Sequence, residues 1–584
     1  MIFDRTNREA VEQYSPGSRS APRDSDCENT RPPTGFNIVH GGSSIGCSTP
    51  LGSTKHSVAC YPGVRSATPG FDVERLRRWC DRPVSIVLSL VIACVVSAAH
   101  GAEQPNFVFI QGEGQGWAST SVQLDPDEPG SRSNSFSTPS LERLAREGVR
   151  FSNYYAPSPR CTPSRATYFT GISPARLGMT FTSAGGDTGR ALIEPRVVNE
   201  LPQNVTTIAE LLKTAGYATA HFGKWHVGRA DPRVHGFDES DGATSNGGPD
   251  NSRNPNPKQA YGITERGIAF IQRQAAANKS FYVQLSHYGG RSQDDARPET
   301  FEKVLQLGLG RDERNMGAAA VALDMDITIG MLLDALDELD IAKNTYVIYT
   351  ADHGTPGRNG PLQGGKGGLW NGGIRIPLFI RGPMTKAGSH SSVLVTGADL
   401  VPTVADLAGV SGKLSGKVEG GSLRQLLVDP ESGKVARPRD ELTFHFPHYD
   451  KDPLGPVSAI IADDFKLLRI YEGERHQLFD LAKDIGERND LSGSRPDKVQ
   501  QLFAQLTSYL DSIDAGMPVK RPGNAPASAA RRNTNSRPDA IMQGLDKNND
   551  GQLTKDELER LPALLRSLDK NKDGTLSRDE TRGR

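Results

Sequence analysis

The sequence predicts an α/β fold: a doubly wound, mixed sheet with helices on both faces, then a smaller antiparallel α+β subdomain and a short all-α tail. Three observations carry this expectation. Short apolar, β-rich runs alternate with helix-forming segments between residues 105 and 408. Closely spaced strand-like segments between Thr443 and Leu481 then replace that alternation. The 62 glycines and 39 prolines among 584 residues favour loop-built sites on such a scaffold over a helical bundle.

The first strand is the run Pro105 to Ile110, which leads into the glycine-rich loop Gly112 to Trp117. Thr138-Pro139 supplies an N-cap and an N1 proline for a helix carrying Leu141, Leu144 and Ala145, and Gly148 ends it. Thr207 and Glu210 form a capping box for a second helix, expected to run to Gly216. Strand-like Tyr217 to Phe222, a helix around Tyr261 to Ala275, and the strand Phe281 to Leu285 follow. A long amphipathic helix from about Met316 to Leu339 leads into the strand Thr345 to Thr350. After a helix from Asp399 to Ala408, the segments Thr443 to Phe446, Ser458 to Ala462, Phe465 to Ile470 and His476 to Leu481 read as antiparallel strands before a helix from Asp497 to Ile513. In doubly wound folds, sites form where loops leave the carboxyl ends of the strands, so the loops after Ile110, Leu285 and Thr350 are where chemistry is expected.

The formal net charge of -1, with 36% hydrophobic and 23% charged residues, gives no electrostatic reason to expect a nucleic-acid partner. The apolar run Val84 to Val96, behind Arg75, Arg77, Arg78 and Arg82 and before Ser97 to Ala102, reads as a secretory signal peptide over residues 75–102. It is shorter than a bilayer-spanning helix, so no stable membrane span is expected and the chain is placed in the periplasm or outside the cell. The competing reading of Val91 to Cys94 is a lipobox that makes Cys94 a lipid-modified N-terminus. Residues 1–74 lack apolar periodicity, and read either as a start assigned too far upstream or as a disordered extension. Cys27, Cys47, Cys60, Cys80 and Cys94 all precede the cleavage region, which leaves Cys161 in the mature chain without a disulfide partner. A lone retained thiol in an exported protein directs attention to the residues around it.

Those residues are Cys161-Thr162-Pro163-Ser164-Arg165, and three further segments accompany them: Gly223-Lys224-Trp225-His226-Val227-Gly228, Ala351-Asp352-His353-Gly354 and Gly364-Gly365-Lys366-Gly367. Together, and in this order, they resemble the motifs of the type I sulfatases, with a likeness spanning roughly residues 105–513. The resemblance implies an alkaline-phosphatase-like fold, with a catalytic domain over 103–435 and a C-terminal subdomain over 436–515. It also implies sulfate-ester hydrolysis through a formylglycine made from Cys161 by the formylglycine-generating enzyme, on a sulfated small molecule or glycan. A hydrated aldehyde suits that task, because one hydroxyl attacks sulfur and loss of the proton from the other expels sulfate. Carried over by position, Arg165 steadies the nucleophile, Lys224 bridges it to sulfate, His226 accepts the proton that releases sulfate, and Lys366 binds a sulfate oxygen. Glu113, Asp352 and His353 hold a divalent cation, with calcium the leading candidate.

Two departures from the family pattern stand out. The metal loop Gly112-Glu113-Gly114-Gln115-Gly116 supplies one carboxylate where relatives carry two, and Arg291 occupies a position where they often place a leaving-group histidine. Arg291 and His287 are therefore expected to contact substrate, with specificity in the loop Ser240 to Gln259 and around His445 and His448. Beyond a linker over 516–537, residues 538–584 hold two loops similar to EF-hands. Their calcium ligands would be Asp546, Asn548, Asp550, Gln552 and Glu557, then Asp569, Asn571, Asp573, Thr575 and Glu580. Two other functions remain open at this point: phosphonate or phosphodiester hydrolysis within the same superfamily, and calcium-dependent binding of sulfated glycans without turnover.

Overall fold

Asn106–Gly112 (β1) is buried along its whole length, which explains why its sequence shows no polar alternation. Its side chains still divide by period two. Phe107 and Phe109 enter one hydrophobic layer and Val108 and Ile110 the other. The computed structural model describes residues 104–246, 256–290, 292–310, 313–357 and 359–521. The expected signal peptide and N-terminal extension, Arg291 and both EF-hand loops lie outside the described residues.

The sheet around β1 has eight strands. In chain order they are β1, Val149–Phe151 (β2), Ala218–Gly223 (β3), Glu239–Ser240 (β4), Phe281–Ser286 (β5), Thr345–Ala351 (β6), Leu378–Arg381 (β7) and Ser389–Ser391 (β8). Their spatial order is β8-β2-β7-β6-β1-β5-β3-β4. β1 runs parallel to β5 and β6, and β3 is parallel to β4 and β5. β7 is antiparallel to both β6 and β2, so the sheet is mixed, as expected. Helices cover both faces. Cys161–Thr170 (α2), Ile208–Lys213 (α3) and Leu400–Leu407 (α7) pack with Phe107 and Phe109, whereas Pro139–Glu147 (α1), Ala260–Ala276 (α4) and Glu313–Glu338 (α6) pack with Val108 and Ile110, and Pro298–Gln306 (α5) packs on α6 through Phe301 and Val304.

The Thr207 capping box forms, but α3 stops at Lys213, and Gly216 sits beyond it in a turn at φ +86°. Asn315–Glu338 of α6 is long and apolar enough to cross a membrane, yet Leu323, Ile329, Leu332, Leu333 and Leu336 are buried in the protein core. Its apolar character is that of a core helix.

Leu442–Phe446 (β9), Val457–Ala462 (β10), Phe465–Ile470 (β11) and Arg475–Asp480 (β12) form the expected antiparallel meander. One face packs under Pro496–Ser512 (α8) through Leu502, Leu506 and Leu510. The other carries Phe444, Phe446 and Ile461 against Tyr155, Trp370 and Ile374 of the larger sheet's loops. At that junction Lys466 and Glu487, both fully buried, pair at 2.6 Å. Lys466 also donates to Asn371 Oδ1 (3.0 Å), and the Asn371 amide donates to Glu487 Oε2 (2.6 Å). The chain expected to loosen from Gly516 instead stays attached through Arg521. Val519–Lys520 pairs with Leu192–Ile193, and Arg521 forms an ion pair with Asp187, so a linker begins later than composition suggests.

Candidate active site

Four neighbouring parallel strands deliver the polar residues at their carboxyl ends: Glu113 follows β1, Lys224 and His226 follow β3, His287 follows β5, and Asp352 and His353 follow β6. Cys161 faces them as the first residue of α2, every residue of which is buried. Gly114 adopts φ +60°, a conformation that glycine takes without a Cβ penalty, and its N–H donates to Asp352 Oδ1 at 2.9 Å. That bond ties the β1 loop to the β6 loop.

Glu113 is the centre of the constellation. Its carboxylate accepts from Lys224 Nζ (3.0 Å), Arg165 Nη2 (3.1 Å) and Lys366 Nζ (3.4 Å), while Cys161 Sγ lies 3.2 Å from Oε1. Arg165 is fully buried and further donates to Asp352 Oδ2 (3.3 Å), Gln111 Oε1 (3.2 Å) and the Lys224 carbonyl (2.6 Å). Lys366 Nζ is 3.7 Å from Cys161 Sγ. His353 Nδ1 is 2.9 Å from the Gly354 carbonyl, which assigns a proton there, and Nε2 faces Cys161 Sγ at 3.2 Å; burial opposes the charge on this ring, but Asp352 and Cys161 outweigh it and push the imidazole up.

Burial opposes the charge on every one of these groups, and neighbours decide the outcome. Burial and Glu113 push the Cys161 thiol up, but His353 and Lys224 outweigh them and bring it down to about 6. Against burial, Lys224 and Arg165 hold Glu113 well below the usual carboxylate range, and burial together with the Glu113 charge pushes Asp352 up. Burial, then Lys224 and Arg165, lower His226 to about 3, so its imidazole is neutral near pH 7 and is held there as a weak base.

Cys161, Arg165, Lys224 and Lys366 converge as expected on Glu113, Asp352 and His353. His226 adopts φ +57°, and its main chain is fixed at both ends: Thr162 Oγ1 donates to its carbonyl (2.8 Å) and its N–H donates to the Thr244 carbonyl (2.9 Å), while Nδ1 has no partner. His287 is buried, with Nε2 3.5 Å from Thr328 Oγ1, and it lines a pocket shared with Glu113. His445 and His448 do not reach the site. His445 is bonded to Ser458 (2.6 Å) and the Gly516 carbonyl (2.9 Å), and His448 ties the subdomain to the catalytic domain through Glu194 (3.0 Å) and Thr180 (2.8 Å). Asn246, which the sequence marks only as part of the loop Ser240 to Gln259, accepts from Lys224 Nζ at 2.7 Å through Oδ1, and at Gly289, which carries no mark, a Cβ would lie 2.6 Å from Glu113 Cγ. The bare glycine makes room for the extra methylene of Glu113.

Glu113, Cys161, Asp352 and His353 each place one donor atom within 4.8 Å of the others. Two carboxylates, Asp352 buried and Glu113 nearly so, and an imidazole aimed at one point, with Asp352 driven toward protonation by burial and then by Glu113, are a donor set that a divalent cation fits. Gln115 does not belong to it, because its Oε1 accepts from the Tyr349 hydroxyl and its Nε2 donates to the Ser119 carbonyl.

Residues 105–410 match the sulfatase family. The chain belongs to that family, the sulfuric ester hydrolases. Residues 366–515 match the C-terminal region of N-sulphoglucosamine sulphohydrolase, and 539–562 and 563–582 each match an EF hand. N-acetylgalactosamine-6-sulfatase of Homo sapiens is 31% identical over 373 residues, covering 56% of this chain and 67% of that protein. Arylsulfatase A of Homo sapiens is 27% identical over 507 residues, covering 74% and 92%. The chain spans 66% to 68% of the length of the N-acetylgalactosamine-6-sulfatases of mouse and pig. A sulfatase structure from Pseudoalteromonas sp. superposes with TM-score 0.56 at 21% identity, over 70% of this chain and 91% of that one. Another, in complex with its substrate D-glucosamine-2-N,6-O-disulfate, gives 0.53 at 22%, over 73% and 100%. At these identities the two structures share the fold. Family members use a metal ion and formylglycine, which is the role the donor cluster and Cys161 suit in this sulfatase.

Proposed function

We propose that this sulfatase removes a sulfate ester from a carbohydrate. The observation that carries this reading is the convergence on one point of Cys161, two lysines, a buried arginine and a three-donor cation site. Once made from Cys161, formylglycine supplies a hydrated aldehyde as nucleophile, and a divalent cation held by Glu113, Asp352 and His353 offsets negative charge beside it. Calcium is the first candidate. Lys224 and Lys366 present ammonium groups to sulfate oxygens, where charge grows as the ester bond breaks. Arg165, locked by four acceptors, cannot swing away and keeps the acidic groups fixed. The family pattern gives His226 the proton that releases sulfate, and the relatives' names together with the disulfated-glucosamine complex support a sugar as substrate class.

The same reading makes the formylglycine-generating enzyme a maturation partner and places the protein outside the cytoplasm, in the periplasm or secreted. His287 and Arg291 remain proposed contacts to the alcohol portion of the substrate, and the EF-hand loops proposed calcium sites. A desulfation screen over sulfated sugars tests the proposal, using protein whose Cys161 conversion is confirmed by a mass deficit of about 18 Da. Sulfate release is expected. Faster turnover of bis-p-nitrophenyl phosphate than of any sulfate ester would favour phosphodiester hydrolysis instead.

A further inference from the structure

An exposed cation reaches the same cleft from the C-terminal subdomain. Lys451, in the loop between β9 and β10, lines one cavity with Lys366, Glu113, Gly289, Asp295 and Pro356. Its position is fixed from two sides. Asp450, one residue earlier, makes a two-armed ion pair with Arg160, the residue directly before Cys161. The glycines after Lys366 let its loop lie directly against this segment: a Cβ on Gly367 would be 2.4 Å from Asp450 Oδ2, and one on Gly368 would be 2.0 Å from Asp452 Oδ2. Lys451 is therefore tethered to both the nucleophile's helix and the Lys366 loop.

Among the described residues its charge meets no partner. Lys224 and Lys366 face Glu113 and Lys258 pairs with Asp295, but among the described residues no carboxylate pairs with Lys451. The transferred sulfate is already provided with Lys224 and Lys366, so an additional free ammonium at the cleft is available to the other part of the substrate. We propose that Lys451 is a specificity residue that binds a second anionic group, a sulfate or carboxylate on the alcohol portion, and that the preferred substrate is a polyanionic carbohydrate. Asp450 and Arg160 act as positioning residues for it. This inference rests on the sulfatase reading and narrows it.

The test uses full-length, formylglycine-bearing protein with metal bound, and measures sulfate release from three probes: a monosulfated hexosamine, a disulfated hexosamine, and a monosulfated disaccharide containing a uronate. Lys451→Ala is expected to raise KM about fivefold on the two doubly anionic probes at low salt, the scale of one exposed ion pair, with kcat unchanged. The monosulfated sugar should show no change, and added salt should erase the difference between wild type and variant. An effect on the disulfated probe alone identifies sulfate as the group recognised, an effect on the uronate alone identifies carboxylate, and an effect on both means that charge suffices. Lys451→Arg should keep the wild-type preference. Equal KM changes on all three probes, or none on any, would overturn the proposal while leaving sulfatase activity intact. Wild-type protein that releases sulfate from no probe would instead defeat the reading on which it rests.

Discussion

Lys466 and Glu487 meet in the interior where the C-terminal subdomain joins the catalytic domain, and Glu113 gathers Arg165, Lys224 and Lys366 at the ends of the sheet strands. Both are buried sets of opposite charge, but they are composed differently. In the first, one cation meets one carboxylate and Asn371 bonds to both, so nothing is left for a ligand. Burial lowers Lys466 and raises Glu487, and their mutual attraction offsets that cost. In the second, two carboxylates, a thiol, an imidazole and three cations crowd one cleft, and Glu113 alone answers several donors. Buried charge matched one to one behaves as a staple, whereas buried charge held in excess around an open space is prepared for a charge that arrives from outside.

The comparison can be broken most severely at the nucleophile. Cys161→Ala should cut sulfate-ester turnover by at least about 10⁴-fold, because the chemistry has no substitute, while thermal melting stays near wild type. Full activity in that variant would sink the sulfatase reading. Glu113→Ala should lose active-site metal and roughly 10²–10³-fold in kcat together, as read by metal analysis and kinetics on protein lacking residues 538–584. Retention of both metal and rate would show that Glu113 only balances the lysines. Gly114→Asp, which would restore the second carboxylate, has to place an aspartate at φ +60°, so its gain in calcium affinity is expected to be small.

The staple should respond in stability instead. Lys466→Met leaves Glu487 buried without its cation and should cost about 3–5 kcal/mol in denaturant unfolding, and adding Glu487→Leu should recover most of that loss. Residual folded protein should keep its KM, since neither residue touches the cleft.

A further buried carboxylate, Asp326, has no cation among the described residues. It accepts the amides of Ser140 (2.8 Å) and Leu141 (3.0 Å) at the start of α1, and burial raises it to about 6. Its folded pKa lies above the unfolded value of 3.8, so the folded state binds the proton more tightly. Stability should therefore fall by about 2–3 kcal/mol as pH rises from roughly 4 to 6, and Asp326→Asn should flatten that part of the curve. The smallest expected effect comes from deleting residues 538–584: calcium stoichiometry should drop, with kcat on a small sulfate ester unchanged.

The strand runs were legible because a sheet buried on both faces leaves continuous apolar stretches, as in Phe107 to Ile110 and Thr345 to Thr350. The site was legible where glycine-flanked motifs carry it, at Cys161, Lys224, Asp352 and Lys366. Asn246 was legible only as part of the loop Ser240 to Gln259 and Lys451 not at all, because a side chain that reaches the cleft from a loop bears no periodic or spacing mark of its own. His448 misled for the converse reason: a histidine in a loop suggests substrate contact, but its partners Glu194 and Thr180 lie far away in sequence and make it part of the packing.

By itself, then, the sequence determined the alternation of elements and the identity of the reactive groups, since both follow from local order: which residues neighbour one another and how apolar ones recur. Only the tertiary structure decided which charges meet. That the single carboxylate of the β1 loop faces three cations, that Gly289 leaves space for it, and that Lys451 stands beside Lys366 all depend on loops brought together by sheet pairing and by the docking of the subdomain. Coulomb and hydrogen-bonding energies act through distance in space, and separation along the chain does not encode it.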